Sequence, residues 1–368
     1  MKPVVLLVVA VISMANSFAA EEAFDARGIQ FLAFKSFSKF HHTAGERPGE
    51  MLWTSPKIRT RIGWDELIVS WNADVPPDTW LKIEARALYP EHTTKWFNLG
   101  WWSADPSRHP RESVRRQKDD DGNVDTDTLQ LSRFTREVQV RITMGGEGKA
   151  RPKLNFLSLS TLDSRMKPAV LPPNRAAWGK TIAVPERSQM VYENGGVICS
   201  PTTVSMMLAH WSRVLKQPSL DHDVPEVVKG VFDRTWGGTG NWVFNTAYAG
   251  SLPGLRAYTA RLSDVAELED FVAQGIPIGL SLCYNRLRGK SREPSGHLVV
   301  CVGFTENGDA VINDPGTTLQ VRKTFPRANL IDAWAYSKNA AYLIYPKDAK
   351  LPPDRFGHWD SPTARRRM

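Results

Sequence analysis

Four side chains in the second half of this chain belong to types that together perform acyl transfer: Gln189, Cys199, His297 and Asp314. In such chemistry a thiolate attacks a carbonyl and an imidazole takes and returns the proton, while a carboxylate holds the imidazole and an amide N–H stabilises the oxyanion. Each type is common, so its setting has to carry the assignment. Cys199 lies in Gly195-Gly196-Val197-Ile198-Cys199-Ser200-Pro201-Thr202-Thr203, ahead of a run in which Val204, Met207, Leu208 and Trp211 recur at helical spacing. The partial positive charge of a helix N-terminus lowers a thiol pKa from its free value of about 8.5. Pro201 suits the first helical turn, where a missing N–H costs no bond, and Gly195-Gly196 let the backbone approach closely. A lone cysteine before a helix is more often a packed apolar residue, so Cys199 taken alone leaves both readings open.

His297 opens the strand-like run Gly296-His297-Leu298-Val299-Val300-Cys301-Val302-Gly303-Phe304. The turn signal Glu306-Asn307-Gly308-Asp309 follows, and Ala310-Val311-Ile312-Asn313-Asp314-Pro315 returns antiparallel. A two-residue turn at Asn307-Gly308 puts Cys301 opposite Asp314. His297 then shares a face with Asp314 but lies four residues further along, roughly 13 Å away at ~3.3 Å per residue. Strong coiling or a bulge has to close that gap. Gln189, ten residues before Cys199 in Val184-Pro185-Glu186-Arg187-Ser188-Gln189, is the candidate oxyanion donor together with the Cys199 N–H.

Taken in order, Val184-Pro185-x-x-Ser188-Gln189, Cys199-x-Pro201 opening a helix, the run from Gly296 to Phe304 and the closing Asn313-Asp314-Pro315 form a distinctive pattern. It resembles the cysteine peptidases related to bacteriocin-processing (double-glycine leader) proteases, family thirty-nine of the cysteine peptidases, over residues 180–347. The resemblance implies a papain-like domain that needs no metal or organic cofactor. It assigns Gln189 as oxyanion donor, Cys199 as nucleophile, His297 as general base and acid, and Asp314 as orienting carboxylate. Ser200 departs from the pattern, since such proteins commonly have glycine between the cysteine and the proline. Relatives within peptide-exporting transporters add membrane helices and a nucleotide-binding domain. This chain has no later apolar run long enough to span a membrane and no Gly-x-x-x-x-Gly-Lys-Ser/Thr loop.

The elements that must position these residues follow from the rest of the chain. Its 368 residues suggest two domains, and 42% hydrophobic with 23% charged residues is ordinary for chains that bury a core. Met1-Lys2, the apolar run Pro3–Ile12 and Ser17-Phe18-Ala19-Ala20 read as a signal peptide over residues 1–20, which predicts a secreted or periplasmic protein. From 21 to 165, short alternating runs such as 66–71, 81–88 and 137–142 predict half-buried antiparallel strands, hence an all-β sandwich of jelly-roll type. A proline-rich linker with an entry strand is expected over 166–183, then an α+β papain-like domain over 184–347 and a solvated basic tail over 348–368.

Three cysteines cannot make a disulfide scaffold. Either Cys283 pairs with Cys301 and leaves Cys199 free, or both are reduced in neighbouring strands. The net charge of +8 is spread along the chain, which argues against nucleic-acid binding. Seven of the thirteen tryptophans precede residue 165, among them Trp96, Trp101 and Trp102. Exposed, they would stack on a carbohydrate or cell-surface ligand; otherwise they are core. Asp119-Asp120-Asp121-Gly122-Asn123-Val124-Asp125-Thr126-Asp127 spaces oxygen ligands as calcium loops do, but Val124 stands at position six and Gln130 at position twelve, so a solvated hairpin is the better reading. The expected partner is a peptide or protein substrate. The alternatives are a peptidoglycan amidase with the same chemistry and a non-catalytic binding protein on a papain-like scaffold.

Overall fold

The computed structural model describes residues 28–167 and 170–360, so the segment read as a signal peptide and the arginine-rich end after Asp360 lie outside the described residues. The N-terminal half forms β1 (Ile29–Phe34), β2 (His41–Ala44), β3 (Met51–Thr54), β4 (Ile58–Asp74), β5 (Thr79–Leu88), β6 (Phe97–Ser103), β7 (Gly122–Asp125), β8 (Thr128–Gly146) and β9 (Lys153–Leu162). The C-terminal half forms β10 (Lys180–Thr181), α1 (Cys199–Leu215), α2 (Val224–Val231), α3 (Trp242–Ser251), β11 (Leu255–Arg261), α4 (Val265–Ala273), β12 (Ile278–Cys283), α5 (Tyr284–Leu287) and β13 (Gly296–Phe304). β14 (Ala310–Asn313), β15 (Arg322–Phe325), α6 (Arg327–Ala335), β16 (Ala340–Pro346) and β17 (Trp359–Asp360) complete it.

In place of the two sheets of a sandwich, one continuous ten-stranded sheet runs β17-β1-β9-β4-β8-β3-β2, with β5 and β7 also on β8 and β6 on β5. The reason lies in β4 and β8, which are 17 and 19 residues long. Register shifts on either side of Trp64 interrupt their ladder and let the pairing resume from Glu66 onward. The second sheet runs β11-β16-β12-β13-β14-β15 with β10 on β13, and with its helices makes the C-terminal half a mixed α+β domain. α1 is buried at every position from Ser200 to Ser212, as a helix apolar on most faces must be.

The two halves share a core. α3 inserts Val243, Phe244 and Ala247 into the cluster built on Trp71, Leu81 and Trp102, and the Phe244 ring meets Trp71 and Trp102 edge-on, with centroids 6.2 and 5.3 Å away. Removing a fully buried aromatic ring of this kind costs about 3–5 kcal/mol. β11 is stitched to the first sheet by the side chains of Asn72, Ser70 and Ser160, which bond the backbone of Ala257, Thr259 and Arg261. The segment 166–183, expected as a linker, is fastened along its described part: Asn174 bonds Asp270, Trp178 bonds Glu269, and β10 joins β13.

The tail also departs from expectation. Residues 351–360 form a strap back to the N-terminal half, with Phe356 and His358 buried and Phe31 and Leu32 of β1 in parallel register with Trp359 and Asp360. Nor is the Asp119–Asp127 segment simply solvated. It leads into the β7–β8 hairpin, where Asp127 is buried and accepts the Trp242 N–H at the start of α3 at 2.5 Å. Four of the seven N-terminal tryptophans, Trp64, Trp71, Trp80 and Trp102, are core. Trp96 carries the Arg86 and Arg141 guanidiniums over its ring at 4.4 and 4.5 Å, and Trp101 packs on Trp80, which is not the free stacking platform a sugar needs.

Candidate active site

Cys199 opens α1, and the residue before it, Ile198, supplies no side-chain hydrogen bond to the helix. The orphan N–H groups of the first turn therefore face whatever charge lies there. The sulfur lies against the N–H groups of Leu298 and Ser200 and shares a hydrogen bond with His297. Ser200 fills its unexpected place by turning its hydroxyl inward to Tyr342, 2.9 Å away, which ties the start of α1 to β16.

His297 and Asp314 meet, and the reason is a register different from the one expected. The turn after β13 spans more than Asn307-Gly308: Thr305 N–H bonds the Asp309 carbonyl, and Phe304 pairs with Ala310. A bulge between Cys301 and Gly303 then sets Cys301 opposite Ile312 and Val300 opposite Asn313. Together these slide Asp314 two residues toward His297, and the chain leaves the strand at Asp314 to complete the approach. Asp314 Oδ1 lies 2.8 Å from His297 Nε2. With Nε2 so engaged, Nδ1 is the nitrogen left for the thiol.

The electrostatics follow from these contacts. Burial opposes an imidazolium at His297, but the bonds and charges of Asp314 and Cys199 outweigh it and push the group up to about 9. Burial also opposes a thiolate at Cys199, yet the bond and charge of His297 and the two N–H groups hold it below the ordinary thiol range. Asp314 is likewise held low against burial by His297, the Tyr284 hydroxyl and the Gly316 N–H. A thiolate–imidazolium pair is the arrangement these shifts favour, and it is the reactive form of a nucleophilic cysteine.

Gln189 is buried in a short turn capped by Ser188 and anchored to the loop after Asp314, its N–H bonding the Pro315 carbonyl at 3.0 Å. Its side-chain amide donates to the Gly195 carbonyl, four residues before Cys199, and its Oε1 has no partner. All four residues singled out in the sequence thus belong to one neighbourhood, three of them in direct contact.

Two further residues complete it. Tyr284 donates its hydroxyl to Asp314 Oδ2 at 2.6 Å and lays its ring on His297, with centroids 4.3 Å apart. Gly316 donates its N–H to Asp314 Oδ1 at 2.9 Å, and a Cβ there would come within 3.2 Å of His297 Nε2. The Pro315-Gly316 turn signal is visible in the sequence; nothing local marks Tyr284. The cysteines resolve in favour of the reduced reading, since all three are free. β12 and β13 are neighbours, but Cys283 pairs with Gly296 while Cys301 pairs with Ile278. Five residues of offset at ~3.3 Å each exceed the reach of a disulfide.

An α+β domain with a cysteine at a helix start beside a histidine–carboxylate pair carries the groups that thiol-dependent acyl transfer uses. Family comparisons agree: residues 44–161 match the model described as Peptidase C39 N-terminal domain, and residues 181–342 match that of the Peptidase_C39 like family. The chain is thus similar to C39-like peptidases over both of its halves, and this similarity points to a cysteine peptidase and to a peptide or protein substrate. No curated protein matches the chain. Among solved structures it is similar to one assigned as a C39-like peptidase from Bacillus anthracis, at 17% identity and a TM-score of 0.35, covering 46% of this chain and 99% of that one.

Proposed function

We propose that the protein is an exported cysteine peptidase hydrolysing peptide bonds on a papain-like domain, with Cys199 as nucleophile, His297 as general base and acid, Asp314 as orienting carboxylate and Gln189 as oxyanion donor. The observation that supports this most is the His297 ring, bonded at Nε2 to Asp314 and shared on its other side with the Cys199 sulfur at an uncapped helix start. In this mechanism the thiolate attacks the amide carbon and the carbonyl electrons move onto oxygen. The Cys199 N–H and the second N–H of the Gln189 amide stabilise that oxyanion, each donor contributing about 3 kcal/mol. Imidazolium His297 then protonates the leaving amine as the C–N bond breaks, leaving a thioester on Cys199. Water gives its proton to His297, adds to the thioester and releases the acid, which regenerates the ion pair. The apolar segment after Met1-Lys2 supports export to a secreted or periplasmic location.

A peptide library incubated with the wild type and with Cys199→Ala tests the reading. Cleavage by the wild type that the variant lacks is the expected result; identical product sets, or none from either, would reject it.

A further inference from the structure

A cavity of about 540 Å3 opens between the halves, walled by Glu66, Asp125 and Asp127 on one side and by Trp236, Ser281 and Tyr336 on the other. Two routes connect it to the thiol. Leu298, whose N–H faces the Cys199 sulfur, pairs across the sheet with Ser281. Thr239 donates its hydroxyl to the Val197 carbonyl, two residues before Cys199, and the next residue, Gly240, is part of the wall. Wall residues Ser281 and Gly240 therefore neighbour the segments that carry Leu298 and Val197, while Cys199, His297 and Asp314 themselves lie outside the cavity lining.

The charges in the wall are unevenly answered. Glu66 is paired twice, with Arg261 at 2.8 Å and with Lys338. Asp125 and Asp127 form no ion pair among the described residues. Asp125 ends β7 in an exposed position, while Asp127 is bonded only by neutral donors such as the Trp242 N–H and the Thr128 hydroxyl. Burial, with the Asp125 charge nearby, pushes the Asp127 carboxyl up to about 7, although Arg261 and Lys338 also line the cavity. Trp236 and Tyr336, each 42% exposed, place aromatic surface at the rim. A cation gains from aromatic faces and from carboxylates together, and a long alkyl stem suits the apolar approach.

We infer that this cavity receives a lysine or arginine side chain flanking the scissile bond, so that the N-terminal β7–β8 hairpin takes part in substrate selection. This rests on the peptidase reading and assigns the role that the strand-rich half plays in it. The test uses the full chain and matched peptides that differ only in Lys, Arg or Glu at positions flanking a mapped cleavage site. kcat/KM is measured for the wild type, Asp125→Asn, Asp125→Lys and Trp236→Ala. The wild type should prefer the basic peptides about tenfold or more, within the range that one pocket contact supplies. Asp125→Asn should weaken that preference, Asp125→Lys should abolish or reverse it, and Trp236→Ala should reduce kcat/KM on basic peptides more than on acidic ones. Asp125 is exposed, and a melting temperature matching the wild type would establish that the variants fold. Equal cleavage of basic and acidic peptides, or a preference that folded Asp125→Lys retains, would overturn the inference while leaving the peptidase reading intact. Cleavage of no peptide by the wild type would remove both.

Discussion

Among the described residues, two buried histidine–carboxylate pairs differ in what lies on the far side of the ring. His297 Nε2 is 2.8 Å from Asp314, and His358 Nε2 is 2.7 Å from Glu267. His297 presents its other nitrogen to a thiol at a helix start, whereas His358 Nδ1 is buried with no hydrogen-bond partner, and Glu267 is also held by the Trp359 indole and the Ser263 N–H. The same two-atom contact therefore lies beside a thiol in one place and fastens a tail strap in the other. A histidine–carboxylate bond identifies nothing until its third partner is known.

Substitution breaks the comparison most sharply. His297→Ala should lower kcat/KM on a cleaved peptide by about 10⁴-fold, while His358→Ala should leave it within about threefold; similar losses would erase the distinction. A chemical contrast within one domain comes next. Iodoacetamide at pH 6 should alkylate Cys199 about a hundredfold faster than Cys301, whose buried thiol is pushed up to about 12, as read by peptide mass mapping.

The pH dependence follows from the same contacts. Folding raises His297 from its ordinary value near 6.5 to about 9, so the protonated ring stabilises the fold fully below pH ~6.5 and that contribution is lost as pH rises through about 9. Activity should fall on the same alkaline limb, because the imidazolium that protonates the leaving amine disappears; a kcat/KM profile with no loss by pH 10 would contradict the ion pair. On the strap side, His358→Ala removes a buried bond and should cost about 1–3 kcal/mol in denaturant unfolding. The smallest effect is expected for Tyr284→Phe, which removes one of the donors to Asp314 and should lower kcat/KM by less than about tenfold.

Much of the site was legible in the chain. Cys199 ahead of a 3.6-residue periodicity, Pro201 in the first turn and His297 at a strand start are local signals, and local spacing determines which residues a helix or strand can present. The union of His297 with Asp314 was not legible, because Asn307-Gly308 suggested the shortest turn and alternation cannot reveal a bulge one residue long. The separation of Cys283 from Cys301 was hidden for the same reason. Tyr284 and Gly316 act through contacts made only when α5 and the loop after β14 fold over the ring.

By itself, the sequence determined a cysteine at a helix start, a histidine at a strand start and the candidate order Gln189, Cys199, His297, Asp314, because these depend on residue type and short-range period. Tertiary structure alone decided that β4 and β8 pair within one sheet, that α3 seats Phe244 in the other half's core, that residues 351–360 return as a strap and that Asp127 is buried at the edge of a shared cavity. Each of those depends on pairing between residues roughly 60 to 330 positions apart. Such pairing is chosen by the packing of whole surfaces, which no window along the chain contains.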